Sequence, residues 1–356
     1  MKVNIYGSFA GPGGYNIHAR EFTRAMANLN EVSLFSLNGL QDKTLMRYND
    51  ISSADLKGAP SITIAGVETY PHFTGKQRIG CTVWETTKIP PHWVHPMNQL
   101  DEVWASSQWG AEIMRRDIDT NVFVLPQGVH PAMMNGLSPL SGLQDDARFR
   151  FCSVFKWEKR KGPDRLLQAF CEEFSPDEPV DLVLQAFNHH LTTPEKWKVE
   201  RYAQLYYMGV PSTCHVSFVD YLPSFEDLAR FYCSCDAFVL PTRGEGWCSP
   251  ALEAMCCGLP TIITDFGGQK EFCDGSAHLV KVEKMTPAGE APFIPFYDGS
   301  YWAEASIEDL RRKMRYVVDH GEKERERAEL LAAELREKYS WAHCAQNATA
   351  RLRELA

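Results

Sequence analysis

A chain of 356 residues exceeds what one hydrophobic core usually organises, so two domains of roughly 150 residues each are expected. Apolar residues at 44% and charged ones at 23% exclude a disordered or fibrous chain, and a formal charge of -9 argues against a general binder of nucleic-acid backbone, whose affinity comes from Lys and Arg. The eleven cysteines are scattered without zinc-site spacing, which predicts reduced thiols and a cytoplasmic protein.

In chain order, Met1 to Phe9 is a short apolar run with one Lys. It fits neither a signal peptide nor a membrane span, so no integral membrane contact is expected and peripheral association with a membrane is left open. Val3 to Phe9 reads as a strand that breaks into Gly11-Pro12-Gly13-Gly14 and then a helix with Phe22, Ala25, Met26 and Leu29 on one face. The order of these glycines is not G-x-G-x-x-G, which weakens a dinucleotide reading. Buried-strand candidates follow at Val32 to Phe35, Ile62 to Ile64, Ile79 to Trp84, Val103 to Ala105 and Val122 to Leu125, interleaved with helical or loop stretches. Within them, Cys81 to Pro90 ends an apolar strand in an acid, Glu85, beside Trp84. His92 and His95 lack metalloprotease spacing, and Asp117-Ile118-Asp119 sits in a polar turn. No essential metal is expected from either.

Leu137 to Arg148 turns Ser, Pro, Gly and Asp rich, which places a hinge and divides the chain into 1–140, 141–336 and a C-terminal helix 337–356. A second strand, Arg150 to Phe155, runs into the basic loop Lys156 to Gly162 and a helix with Leu166, Leu167 and Phe170 inward. Strands at Val183 to Ala186, Val216 to Val219, Ala237 to Leu240 and Thr261 to Thr264 continue the alternation, so both halves are α/β with largely parallel sheets. His189 and His190 follow one strand, where they could approach a nucleotide base. Lys284 to Ala303 is irregular and reads as a loop, Ile307 to Leu335 as a charged helix pair, and Trp341 to Leu355 as one more helix.

The segment Pro241 to Pro260, PTRGEGWCSPALEAMCCGLP, follows a strand and opens a short helix. Ser249 suits the N-cap, Pro250 the first turn and Gly258 the stop. At the carboxyl ends of a parallel sheet, the amides of such a helix suit a phosphate. Glu245 and Glu253, eight positions apart, can then accept hydrogen bonds from sugar or ribose hydroxyls.

This segment resembles the E-x7-E signature of family 4 glycosyltransferases, with Glu245 and Glu253 as its acids. The resemblance extends through the Gly-rich first loop, VLPQGV at Val124 to Val129, the basic loop, and Gly267-Gly268-Gln269-Lys270-Glu271. It implies the GT-B architecture: an α/β chain of two facing Rossmann-like domains with the active site in the interdomain cleft. The first Glu would lie near the donor sugar and Glu253 on the ribose, with Gly246, Trp247, Cys248 and Ser249 around sugar and phosphate. Lys156 and Lys161 match an Arg-x4-Lys pair that stabilises the departing diphosphate. Gly13 and Gly14 would let the donor phosphate approach. Glu85 or Trp84 stands where the family usually has a His near the reacting sugar, and Glu85 could orient the acceptor hydroxyl or share its proton. The family's aromatic-Gly pair is here Trp247-Cys248.

The resemblance implies a retaining, metal-independent transferase with no cofactor beyond a nucleotide-diphosphate sugar as donor substrate. The acceptor stays open among a carbohydrate, a lipid-linked sugar, a protein, a small molecule and a modified nucleic acid. Three alternatives share the fold: a nucleotide-sugar epimerase, a transferase acting on a modified DNA base, and an inactive binding module.

Overall fold

The computed structural model describes residues 1–37, 55–72, 75–143, 147–188, 192–222, 224–289 and 294–356. The chain divides into two compact units. One comprises Met1–His130, Phe296–Ser300 and Glu337–Ala356, the other Pro131–Pro295 and Tyr301–Arg336.

The first unit is built from β1 (Lys2–Gly7), α1 (Gly14–Ala27), β2 (Glu31–Ser36), β3 (Ser61–Ile64), β4 (Arg78–Thr82), α2 (Pro91–Asn98), β5 (Glu102–Ala105), α3 (Gln108–Asp117) and β6 (Val122–Val124). Its six strands run parallel in the order β2-β1-β3-β4-β5-β6, with Ile5 opposite Leu34 on one side and Ile62 on the other. Strands such as β3, SITI, are buried at every position, as expected of a parallel sheet covered on both faces.

The second unit holds β7 (Phe149–Lys156), α4 (Pro163–Glu173), β8 (Val180–Phe187), α5 (Pro194–Tyr207), β9 (Val216–Phe218), α6 (Phe225–Cys233), β10 (Ala237–Leu240), α7 (Ser249–Cys256), β11 (Thr261–Thr264), α8 (Lys270–Cys273) and β12 (His278–Val280). A two-stranded ribbon, β13 (Val282–Pro287) and β14 (Tyr301–Ala305), follows, then α9 (Ile307–Asp319) and α10 (Gly321–Lys338). Its main sheet is again six-stranded and parallel, in the order β12-β11-β10-β7-β8-β9.

The last helix, α11 (Trp341–Leu355), belongs to the first unit, where Trp341, Cys344, Ala345, Ala348 and Leu352 join the core formed by β1 to β3 and α1. Close approach is possible because residue 128 is Gly: a side chain there would collide with the Trp341 backbone. Beside it, the Val129 N–H donates to the Tyr339 carbonyl at 2.7 Å.

Several expectations need correction. Leu29 lies past the end of α1 and is 45% exposed, because the helix stops at Ala27 and the chain turns. Trp84 lies beyond β4 and packs instead with Trp93, Phe296 and Tyr297. Lys284 to Ala303 is no simple loop, since its ends form an antiparallel ribbon that pairs Met285 with Ala303. β14 is drawn in by burial of Trp302 and by the Ala303 N–H, which donates to the Arg243 carbonyl at 2.9 Å. Cys171 and Cys214, whose Cα atoms are 5.9 Å apart, form a disulfide, so only the other nine cysteines are thiols. His189 and His190 lie outside the described residues. Among those described, no helix is long and apolar enough to cross a membrane.

Candidate active site

In the second sheet the chain builds outward from β7, first to β8 and β9 and then, on the other side, to β10. The loops after β7 and β10 therefore leave adjacent strands on opposite sides of a strand-order reversal, the crevice where open α/β sheets bind ligands. The first is the basic loop Lys156 to Gly162, and the second carries Glu245 to α7.

Hydrogen bonds to main-chain carbonyls zip the two loops together. The Arg243 N–H donates to the Arg160 carbonyl at 2.7 Å, and Arg160 Nη1 donates to the Gly244 carbonyl at 2.7 Å. Gly162 ends the basic turn at φ 71°, and a side chain there would strike the Pro241 carbonyl. Below this seam the buried Arg243 guanidinium donates to Asp164 at 2.6 and 2.8 Å and to Glu304 at 2.8 Å, while Arg165 reaches Glu304 at 3.0 Å. Burial alone would raise both carboxyls, but Arg243 outweighs it and holds Asp164 and Glu304 below the usual carboxylate range.

Glu245 sits at the centre, 4% exposed. Lys161 Nζ donates to its Oε1 at 2.7 Å, Thr242 Oγ1 to the same oxygen at 2.9 Å, and Arg160 Nη1 to Oε2 at 3.2 Å. Burial pushes this carboxyl up, yet Lys161 and Arg160 prevail and keep it low. Lys156 is half-buried and pairs with Glu158 at 2.6 Å, and Glu158 in turn accepts from Arg160 at 2.8 Å. Lys156, Glu158, Arg160, Glu245 and Lys161 thus form one chain of alternating charge. On the far side of Glu245, Gly267 at φ 105° leaves no room for a side chain against the Glu245 backbone, and the Gly268 N–H donates to the Glu245 carbonyl at 2.7 Å.

Gly246, Trp247 and Cys248 are buried, and Trp247 packs edge-on against Phe272 at 5.1 Å. Cys248, not Ser249, occupies the cap of α7, at φ 72° and ψ 63°, and no side-chain hydrogen bond caps the helix. Ser249 is instead its first residue. The left-handed turn at Cys248 costs a residue with a β-carbon roughly 1–2 kcal/mol, which explains a preference for Gly there. Gly258, at φ 81°, follows the helix end.

Glu253, one turn into α7, is buried and differs from Glu245 in that, among the described residues, no cation forms an ion pair with it. The Tyr232 hydroxyl donates to its Oε2 at 3.2 Å. Burial raises the Glu253 pKa to about 7 against the smaller opposing effect of Tyr232.

In the first unit, Gly13 and Gly14 begin α1. The Gly13 N–H donates to Asn16 Oδ1 at 3.0 Å, and Asn16 and Arg20 hold the carbonyls of Ser8, Phe9 and Gly11 at 2.6–2.8 Å. A β-carbon on Gly14 would point into open space. Tyr15 hydrogen-bonds Thr82 at 2.7 Å, tying α1 to the loop that carries the half-buried Glu85. Burial, and then the Glu85 charge, raise the Tyr15 phenol.

The structure therefore brings Lys161 and Glu245 into contact, with Lys156 linked to them through Glu158 and Arg160. Glu253 lies on the helix that starts at this loop. Sequence reasoning did not single out Arg160, Thr242, Arg243 and Tyr232. Arg160 was readable as part of the basic loop, and Arg243 as a charge in the loop three residues beyond an apolar strand.

Two parallel six-stranded Rossmann-like units define the GT-B fold, and solved structures share it. HepE from Anabaena, in complex with UDP and glucose, matches with a TM-score of 0.72 at 13% identity, over 99% of this chain and 100% of that one. Residues 147–289 match the family Glycosyl transferases group 1, which places the basic loop and both acids inside the family region. An uncharacterized glycosyltransferase, MJ1178, of Methanocaldococcus jannaschii is 25% identical over 182 residues, 49% of this chain and 44% of that protein. The O-antigen chain mannosyltransferase B of Escherichia coli is 32% identical over 89 residues, 25% of this chain and 23% of that protein. The chain spans less than half the length of these relatives.

Proposed function

We propose that the protein is a retaining glycosyltransferase that moves a sugar from a nucleotide-diphosphate donor to an acceptor hydroxyl. The observation that carries this reading is the chain of cations around Glu245 at the start of α7, with the uncharged-side acid Glu253 one turn further on. Leaving-group chemistry needs fixed positive charge where the diphosphate departs. Lys161 has three N–H donors and commits one to Glu245, so two remain to meet phosphate oxygens, and Lys156 and Arg160 add charge beside it.

Glu253 accepts from the ribose hydroxyls in this reading, which favours its ionised form in the bound state. Glu245 anchors the cations and offers its remaining acceptor capacity to a sugar hydroxyl. The amides of Gly246 to Ser249 supply the helix-start field. The acceptor oxygen attacks the anomeric carbon on the face from which the phosphate leaves, the sugar–phosphate bond breaks, and the departing phosphate takes the acceptor proton. Glu85, on the first unit, orients that hydroxyl. The protein's own cations meet the charge of the leaving group in this scheme, so transfer proceeds without a metal.

The first test is a thermal-shift screen of nucleotide sugars, beginning with UDP-glucose because HepE was solved with UDP and glucose. A true donor at 100 times its dissociation constant stabilises the fold by about 2.7 kcal/mol. The product made from that donor, read by NMR in the presence of a chelator, should keep the donor's anomeric configuration. An inverted product, or conversion of the donor with no acceptor present, would replace this reading with inversion or epimerisation.

A further inference from the structure

Cations hold the carboxylate of Glu245, whereas that of Glu253 meets a phenol arriving from a neighbouring helix. Tyr232 is the penultimate residue of α6. Its ring is fully buried, 6.1 Å from Phe231 and edge-on to Phe238 at 6.2 Å, so packing fixes where its hydroxyl lies. That hydroxyl is 3.3 Å from the Pro250 carbonyl and 3.2 Å from Glu253 Oε2, and its one proton is shared between the first turn of α7 and the acid. Burial, and then the Glu253 charge, raise the phenol well above its usual range, so it keeps that proton and acts as a donor.

The contact supplies what the covalent geometry of a glutamate lacks. The last torsion of Glu is broad, with no staggered well to set the plane of the carboxylate. A rigid donor on one oxygen sets it. An ionised carboxylate offers about four lone-pair sites, of which Tyr232 takes one on Oε2 and leaves the others in a fixed direction. Glu253 is 8% exposed, so a ligand group can reach it while little water does.

We propose that Tyr232 is a positioning residue that fixes the Glu253 carboxylate for a ribose and thereby makes the site select ribonucleotide donors over 2′-deoxyribonucleotide donors. The inference rests on the reading of Glu253 as the ribose acid. A 2′-hydroxyl donates to the oriented carboxylate. A 2′-deoxy sugar leaves one of its acceptor positions unpaired where water is scarce, and a site built around a hydroxyl rejects the analogue that lacks it. A carboxylate free to turn would pair with the remaining 3′-hydroxyl instead, and the preference would vanish.

The test is titration calorimetry of UDP and GDP against their 2′-deoxy counterparts, with no acceptor present. The wild-type protein should bind the ribonucleotide of at least one pair about tenfold or more tightly than its deoxy counterpart, the scale of a hydrogen bond to a charged group. In Tyr232→Phe the ratio should fall below about threefold, through lost affinity for the ribonucleotide alone. A merely structural role would weaken both members of the pair equally. Glu253→Ala should abolish the ratio, and Tyr232→Phe added to it should change neither affinity further. A ratio lost in Glu253→Ala but kept in Tyr232→Phe overturns the role of Tyr232 and leaves the ribose acid standing. A ratio that survives Glu253→Ala, or none in the wild-type protein, overturns the ribose acid and the role of Tyr232 with it. Phe keeps the packing of the ring. Where the stranded carboxylate still costs Tyr232→Phe its fold, the double variant removes that charge, and a further loss of affinity there would show that Tyr232 acts by another route.

Discussion

The loops at the carboxyl ends of the two parallel sheets solve the same positional problem with different chemistry. In the second unit, ion pairs cross from loop to loop: Arg243 to Asp164 and Glu304, and Lys161 and Arg160 to Glu245. In the first, Asn16 and Arg20 hold main-chain carbonyls and Tyr15 meets Thr82, so no buried carboxylate–guanidinium clamp joins these loops among the described residues. A charged, buried clamp sets cations in place before a ligand arrives, which on the proposed reading suits a constant diphosphate. Lighter neutral contacts can be remodelled at smaller cost, which on the same reading suits an acceptor that varies.

The contrast can be broken most severely at Arg243. Arg243→Ala leaves Asp164 and Glu304 without their shared partner and should cost about 3–5 kcal/mol in chemical denaturation. A loss under about 1 kcal/mol would show that the clamp is not what holds the loops.

Glu253 supplies a pH test. Its folded pKa, about 7, exceeds the ordinary value of 4.5, so the folded protein holds the proton more tightly. The protonated acid's contribution is full below pH 4.5 and is lost as pH rises to about 7. Glu253→Gln should remove this fall, on the order of 3 kcal/mol, from the ligand-free melting profile, and should also lower transfer by ~100-fold. Identical pH profiles for variant and wild type would show that burial does not perturb this acid.

Lys161→Ala should likewise lower transfer by ~100-fold, with the larger change in turnover rather than donor affinity if its charge acts on the leaving group. Tyr15→Phe should cost only about 1 kcal/mol, the worth of a neutral hydrogen bond. A penalty equal to that of Arg243→Ala would erase the contrast between the units. The smallest effect is a gain: Cys248→Gly relieves a left-handed backbone at a residue with a β-carbon and should stabilise the fold by up to about 1 kcal/mol in a thermal melt.

Most of the fold was readable because parallel strands buried on both faces appear as short apolar runs. Thr261 to Thr264 and Ala237 to Leu240 match observed strands from end to end. The ribbon of β13 and β14 escaped notice because Pro287, Gly289 and Gly299 look like loop punctuation, while the residues that pair lie far apart in sequence. The acids and lysines of the candidate site could be named from spacing. What spacing could not show is who holds whom. Glu245 faces cations and Glu253 faces a phenol, and that difference arises from Tyr232 and Arg160 arriving on other elements. The cap of α7 was misplaced by one residue because a left-handed Cys leaves no signature in the sequence.

Phe296 and Tyr297 pack on Trp84 and Trp93 in the first unit, although the strands that flank them belong to the second. The chain changes unit at His130–Pro131, Pro295–Phe296, Ser300–Tyr301 and Arg336–Glu337. A recombinant hybrid cut once, near residue 130, would therefore inherit an aromatic plug and a closing helix shaped for another parent. Exchanging the first unit between such proteins calls for transplanting the plug and the terminal helix along with the amino-terminal half.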